Sequence, residues 1–271
     1  MTRPVAIVSG GTFGLGRDIT IDLARRGYDV VAFGLEAPQV SSIAAGGIEG
    51  TRAALRDAGC EAALMEADVS DERAVDSVVA EALSRFGRID ALVANAAIGP
   101  LGTIVDTSPK LWDRIFAVNV RGTYLCARAV VPTMQRQGGG AIVMVGSGAA
   151  WGKPNMAAYA ASKGALVALA QAMAYDHFHD HIRVNTAIPG GGGIVSGMSV
   201  GRVGGDPCDL AADVPGTVAG RVATGGDLAA AVAFLLSDQA AAISGTVVDV
   251  GCFSHQGGPV PRRPARQGSP S

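Results

Sequence analysis

Short runs of small and β-branched apolar residues recur along the chain, each followed by a longer stretch with apolar positions at helical spacing. The runs fall at residues 5–8, 29–33, 61–65, 91–94, 141–145, 183–186 and 246–250. Most are near-continuous Val, Ile, Ala and Leu, which is how strands covered on both faces of a parallel sheet read. Stretches long enough for helices lie at 17–26, 72–86, 110–137, 157–178 and 228–236. This alternation predicts an α/β fold, a doubly wound parallel sheet of about seven strands with right-handed crossovers and helices on both faces. The chain shows no repeat of solenoid period and no dividing linker, so residues 1–255 read as one domain.

Composition changes this picture in two places. Glycine is in excess, 38 of 271 residues, roughly double the usual share of ~7%, without the G-X-Y period of collagen. Eight of these glycines lie in residues 189–205, a backbone that rearranges easily, and the segment at about 190–226 reads as a lid over a substrate pocket. Residues 256–271, with Pro, Arg, Gly and Ser and no core-forming side chains, read as a disordered tail.

Charge narrows the function classes. The net charge is −2, with 22 Lys+Arg against 24 Asp+Glu, so no basic field exists to grip nucleic-acid phosphates. Cys60, Cys126, Cys208 and Cys252 form no CxxC pair, and a chain of this size does not read as a disulfide scaffold. No apolar run approaches the ~20 residues of a membrane span or the core of a signal peptide. A cytoplasmic protein that contacts neither nucleic acid nor membrane follows from this reading.

The first strand is followed by Ser9-Gly10-Gly11-Thr12-Phe13-Gly14-Leu15-Gly16 and then a helix. Glycines let backbone approach a diphosphate, and the helix offers it unpaired N–H groups and a positive dipole end. The spacing is G-x-x-x-G-x-G. It is not a P-loop, which needs Gly-Lys-Ser/Thr, so ATP use has no motif behind it. A glycine turn alone is common; its place after the first strand, where such sheets bind dinucleotides, gives it weight.

Tyr159 and Lys163 stand four apart in a helical stretch and therefore share a face. A phenol titrates near ~10 in water, and an adjacent ammonium stabilises the phenolate. Tyr159 is thereby a candidate general acid/base. Ser147 follows the strand at 141–145, at the carboxyl edge where these sheets take ligands, and its hydroxyl is placed to hold a substrate oxygen. A Tyr/Lys pair by itself is ordinary helix decoration; the serine and the upstream loop give it meaning.

Together these residues resemble the short-chain dehydrogenases/reductases, in their single-domain, Rossmann-type form, from about residue 3 to residue 253. The family's T-G-x-x-x-G-x-G is matched by Ser9 to Gly16, with serine for threonine. Its Asn-rich motif after the fourth strand resembles Asn95-Ala96-Ala97, its adenine-side aspartate matches Asp68, followed by Val69, and its helix asparagine matches Asn119. The resemblance implies that Tyr159 exchanges the substrate proton and that Lys163 holds the nicotinamide ribose and acidifies the phenol. It also implies that Ser147 orients the carbonyl or alcohol, that Asn119 tethers a relay water, and that Pro189-Gly190 borders the cofactor. Bland readings stand beside these: Asn119 capping a neighbouring backbone, Asn95 bracing a turn, Asp68 capping a helix. The chain departs from the family in four ways. The Ser147–Tyr159 gap is one residue short. Ser196 is the best match for the nicotinamide-amide contact after four glycines. Residues 37–52 are longer than usual and read as a surface excursion. The C-terminal Asp-Gly-Gly motif is replaced by Val250-Gly251-Cys252.

Cofactor choice turns on the end of the second strand. The family's usual aspartate aligns with Gly34; Leu35 follows, and Glu36 is the acid within reach of a ribose. No Arg or Lys lies between Val30 and Gly50, and Phe13 stands where a phosphate-binding base would help. NAD is favoured, with NADP possible. Trp151 and Met198 are candidate pocket residues, although Trp151 serves equally as core and methionine is commonly gap filler. His177, His179 and His181 do not share a helix face, and no metal site is assigned to them. The leading reading is an oxidoreductase acting on a secondary alcohol or ketone, working as a dimer or tetramer. The alternatives are a non-catalytic dinucleotide sensor on the same fold, or a lyase or epimerase using bound cofactor.

Overall fold

The computed structural model describes residues 2–36, 46–190, 194, 198 and 217–251. Seven strands, β1 (Val5–Ser9), β2 (Asp29–Gly34), β3 (Ala63–Glu66), β4 (Ala91–Ala94), β5 (Gly140–Val145), β6 (Ile182–Pro189) and β7 (Val247–Val250), form one sheet. Their order is β3-β2-β1-β4-β5-β6-β7, and every pairing is parallel. The order reverses between β1 and β4, which opens a crevice at their carboxyl ends.

Side-chain alternation along the strands fills two cores. Ile7, Val31, Phe33, Leu92, Ile142 and Met144 face α3 (Glu72–Phe86), α5 (Gly122–Gln137) and α6 (Ala157–Asp176). Their neighbours Ala6, Val8, Val30, Ala32, Val93 and Val143 face α1 (Gly14–Arg25), α2 (Gly47–Asp57) and α7 (Gly225–Leu236). A sheet covered on both sides explains why the strands read as unbroken apolar runs rather than alternating ones.

Three local features differ from the sequence reading. Helix α1 begins at Gly14, not near Arg17, because glycine's poor helix propensity hides the first turn. The segment assigned to a surface excursion instead delivers α2, whose Gly47, Thr51 and Leu55 repeat every four residues and are buried; residues 37–45 lie outside the described set. The single helix read over 110–137 is α4 (Pro109–Phe116), a π turn (Ala117–Arg121) and α5 in unbroken succession. A π turn shifts the phase of the apolar pattern without interrupting it, so the sequence reads as one continuous helix.

The ends of the elements are fastened by side chains. Asp71 caps α3 by accepting from the Arg73 N–H at 2.9 Å. The C-terminus of α7 is closed by Arg183 at the start of β6, whose guanidinium donates to the carbonyls of Leu235 (2.5 Å), Leu236 (3.2 Å) and Ser237 (3.1 Å). A cation on the last carbonyls of a helix satisfies orphan acceptors and complements the dipole. Replacing Arg183 by Ala is expected to lower the unfolding free energy by about 2 kcal/mol, read from urea denaturation, with the native far-ultraviolet spectrum retained.

Candidate active site

The crevice begins where two loops are stitched together. After β1, the Ser9 hydroxyl accepts from the backbone N–H groups of Asn95 (3.1 Å) and Ala96 (3.2 Å). In return the Asn95 Nδ2 donates to the carbonyls of Ser9 and Gly10, each at 3.1 Å. Asn95 therefore braces the turn between the loops after β1 and β4, which is the bland role considered for it. The backbones approach so closely that a β-carbon at Gly10 would stand 2.8 Å from the Ala96 Cα, and one at Gly16 would overlap the Gly10 carbonyl oxygen. Gly10 also holds a positive φ of 63°, so both positions require glycine.

Helix α1 leaves this loop without a capping side chain. Its N-cap is Phe13, which makes no side-chain cap hydrogen bond, and the first turn holds no acidic residue. N–H groups that the helix itself leaves without partners, a positive dipole end and a glycine-lined approach suit a diphosphate, so the residues present fit a dinucleotide. Thr12 is buried beneath the loop, and its carbonyl accepts from the Gly47 N–H (3.0 Å) and the Thr51 hydroxyl (2.9 Å), which docks α2 against the loop.

At the end of β2, Gly34 leaves the usual acidic position without a side chain; a β-carbon there would lie 2.6 Å from the Thr12 Oγ1. Leu35 is partly exposed. Glu36 caps α2, its Oε1 accepting from the Ile48 N–H at 2.6 Å. The Phe13 ring lies against Gly46 at the start of that helix. Sequence reasoning found Glu36 but not its partner, because the helix it caps was not legible.

Asp68 does not cap α3, a role that belongs to Asp71. Its Oδ1 accepts from the Ser70 N–H (2.8 Å) and hydroxyl (2.7 Å), and Oδ2 pairs with Arg114 at 3.4 Å. Partial burial pushes its carboxyl up, but the Ser70 hydrogen bonds and the Arg114 charge outweigh this and hold it below the ordinary carboxylate value. Val69 is buried over Gly122 of α5.

The candidate reacting groups lie just after β5 and on α6. Tyr159 is 7% exposed and Lys163 is 2% exposed. The Lys163 Nζ lies 5.8 Å from the centroid of the Tyr159 ring and donates to the Val145 carbonyl at 2.8 Å. Burial away from water pushes the ammonium down from 10.5 to about 8, so it remains mostly protonated at neutral pH. Ser147 follows β5 and accepts from the Ala149 N–H at 3.2 Å, capping the short 3-10 helix Gly148–Trp151 that packs on α6. The shortened link to Tyr159 runs through Gly152 (φ 94°) and Asn155 (φ 58°). Trp151 on this link is 45% exposed, which removes the core reading for it.

Asn119 sits in the π turn and is fully buried. Its Oδ1 accepts from the Ile98 N–H, and its Nδ2 donates to the Ile98 carbonyl and to the Ser162 hydroxyl, all at 2.9 Å. Both amide hydrogens are committed to protein partners. Its own carbonyl accepts from the Thr123 hydroxyl at 2.9 Å. Ser162, absent from the sequence reading, was hidden as one more small residue between Tyr159 and Lys163. Pro189 ends β6, and Gly190 turns at φ 94° toward Ile194. Ser196 lies outside the described residues; Met198 is partly buried. His177 pairs with Asp180 (Nδ1 to Oδ2, 2.8 Å) beyond α6.

Relatives agree with this architecture. The family model described as Enoyl-(Acyl carrier protein) reductase matches residues 10–252. The chain is 36% identical over 255 residues to 2-(S)-hydroxypropyl-CoM dehydrogenase 3 of Xanthobacter autotrophicus, covering 92% of this chain and 96% of the relative. It is 35% identical over 254 residues to cyclopentanol dehydrogenase of Comamonas testosteroni, covering 91% and 96%. The crystal structure of levodione reductase superimposes with a TM-score of 0.84 at 30% identity, over 95% of this chain and 99% of that one. Among the described residues no helix is long and apolar enough to cross a membrane. A stitched crevice at the sheet's reversal, a phenol and ammonium one turn apart beside it, and relatives matching nearly end to end lead to one assignment: the chain belongs to the short-chain dehydrogenase/reductase family and is an NAD(P)-dependent oxidoreductase.

Proposed function

We propose that the protein interconverts a secondary alcohol and its ketone, with Tyr159 as the general acid/base. The observation that carries this reading is the buried Lys163 ammonium, 5.8 Å from the Tyr159 ring on the same helix face. In the reducing direction the Tyr159 hydroxyl gives its proton to the carbonyl oxygen, and in the oxidising direction the phenolate takes the alcohol proton. The Lys163 charge stabilises the phenolate, and low local polarity strengthens that effect. The Ser147 hydroxyl orients the substrate oxygen, and the loop Ser9–Gly16 with the start of α1 binds the diphosphate. When bound, the nicotinamide supplies or accepts the hydride. Asn119 acts as a positioning residue, since its amide is spent on Ile98 and Ser162. Cyclopentanol and the 2-hydroxypropyl group in the relatives' names are both secondary alcohols, which supports this substrate class. Trp151 and Met198 border the pocket in this reading.

NAD is the favoured cofactor. Glu36 places a negative charge at the start of α2, and the Phe13 ring fills the adjacent position, so a 2′-phosphate meets an anion and an apolar wall. We assign assembly as a dimer or tetramer to the helices that carry Asn119 and Tyr159; the outward face of α6 includes Ala161, Ala168 and Ala172, small enough for close helix approach.

Replacing Tyr159 by Phe is expected to lower kcat by roughly 10²–10⁴-fold while leaving the Kd for cofactor unchanged; retained turnover sinks the general-acid assignment. Steady-state kinetics with both cofactors are expected to give a higher kcat/KM with NAD, and Glu36→Gln is expected to narrow the gap. The Lys163 titration predicts a stability signature in the cofactor-free protein. The folded group loses its proton near 8 whereas the unfolded lysine holds it to about 10.5, so between these values the unfolded state binds more protons and stability rises with pH. Relative to Lys163→Met, whose stability lacks this component, the wild type should gain stability from pH 8 to 10, measured by urea denaturation; parallel curves contradict the buried ammonium.

A further inference from the structure

Ser162 is fully buried, and both hydrogen-bonding roles of its hydroxyl are used. It donates to the Tyr159 carbonyl at 2.7 Å and accepts from the Asn119 Nδ2 at 2.9 Å. Asn119 in turn exchanges two hydrogen bonds with the backbone of Ile98, in the loop after β4. One continuous polar chain therefore links Ile98, the π turn and the turn of α6 that bears Tyr159. These are three separate walls of the crevice. Each contact is short, and each donor and acceptor in the chain is paired. Networks of this kind hold one geometry because any displacement leaves a buried polar group unmet.

We propose that Ser162 is a positioning residue for proton transfer: its hydroxyl bolts the Tyr159 turn to the Asn119 π turn and so fixes the phenol against the substrate oxygen. This rests on the general-acid reading of Tyr159 and adds to it the residue that sets the position of that acid. A serine in mid-helix that bonds back to the preceding turn gains little for the helix itself. Here the same hydroxyl also receives the Asn119 amide across the fold. Without it, one N–H of the fully buried Asn119 amide loses its protein partner. The Tyr159 turn is then free to shift relative to the loop after β4. Proton transfer is sensitive to displacements well below an ångström, whereas the loop Ser9–Gly16 and the start of α1 carry none of the hydrogen bonds of this chain.

The test is Ser162→Ala in the full-length protein, with Ser162→Cys as a variant of similar volume should the alanine protein not fold. The expected result is a kcat about tenfold below wild type, an unchanged cofactor KM and a displaced pH profile of kcat. Ser162→Thr, which restores the hydroxyl, should recover most of the activity. A variant that melts earlier but keeps the wild-type kcat and pH profile overturns the proposal, as does a threonine variant no better than alanine. Tyr159→Phe is assayed in parallel, so failure of the general-acid reading is seen separately as retained turnover. The Tyr159 phenolate is also titrated directly by near-ultraviolet difference absorbance, with Tyr159→Phe as the blank. A Tyr159 titration that Ser162→Ala leaves unmoved overturns the proposal whatever the turnover shows.

Discussion

The interaction on which the proposed chemistry depends is a buried ammonium held by the Val145 carbonyl. Lys163 gives up hydration to sit beneath Tyr159, and the Val145 carbonyl at 2.8 Å replaces part of what water supplied. Desolvation disfavours its charge, and that penalty is visible as a titration brought down to about 8. The penalty and the function have the same origin. A cation in water is screened from its neighbours, whereas one removed from water acts more strongly on a nearby phenol. The fold has to hold this arrangement, because a lysine with four rotatable bonds would otherwise swing to solvent. It does so through β5, which ends on the accepting carbonyl, and through α6, which keeps phenol and ammonium one turn apart.

A second constraint is close approach. Gly10 and Gly16 exist so that the loops after β1 and β4 and the start of α1 can touch, with Ser9 and Asn95 tying them. The loop after β1 is thus held by the side chains of Ser9 and Asn95, which bond to backbone. In this Asn95 is a brace, and the same holds for Asn119. Asn95 spends its amide on the backbone of Ser9 and Gly10, and Asn119 spends its own on the backbone of Ile98 and the hydroxyl of Ser162.

The sheet was legible in the sequence because burial on both faces makes the central strands β1, β4 and β5 near-continuous apolar runs, short and separated by helical stretches. The strand at 91–94 matches its expected bounds, and the helix at 72–86 is bounded by signals the sequence displays, Asp71 at its start and Gly87 at φ 73° at its end. The Tyr159–Lys163 pair was legible because a four-residue spacing is itself a geometric statement. Less visible were features created by tertiary contact. Helix α2 presents only Gly47, Thr51 and Leu55 to the core, too little for a periodic signal. The π turn alters the phase of a helix, not its composition. Glu36 has meaning only beside the Ile48 N–H, and Ser162 only beside an amide 43 residues earlier in the chain.

The two edges of the sheet divide the work between stability and binding. Along the amino edge, charged side chains fasten backbone: Arg183 closes α7, and Asp90 receives both the Val5 N–H at 2.8 Å and the Arg88 guanidinium. Arg3 donates to the carbonyls of Gly27 and Tyr28 on the same side. These contacts spend helix ends and strand starts on internal partners. Along the carboxyl edge of β1 the opposite holds, since α1 begins with no capping side chain and no acid in its first turn. An uncapped helix start is a net cost in an empty protein. An anion at that helix start would satisfy the N–H groups left over there, which is what the proposed diphosphate site requires of this edge.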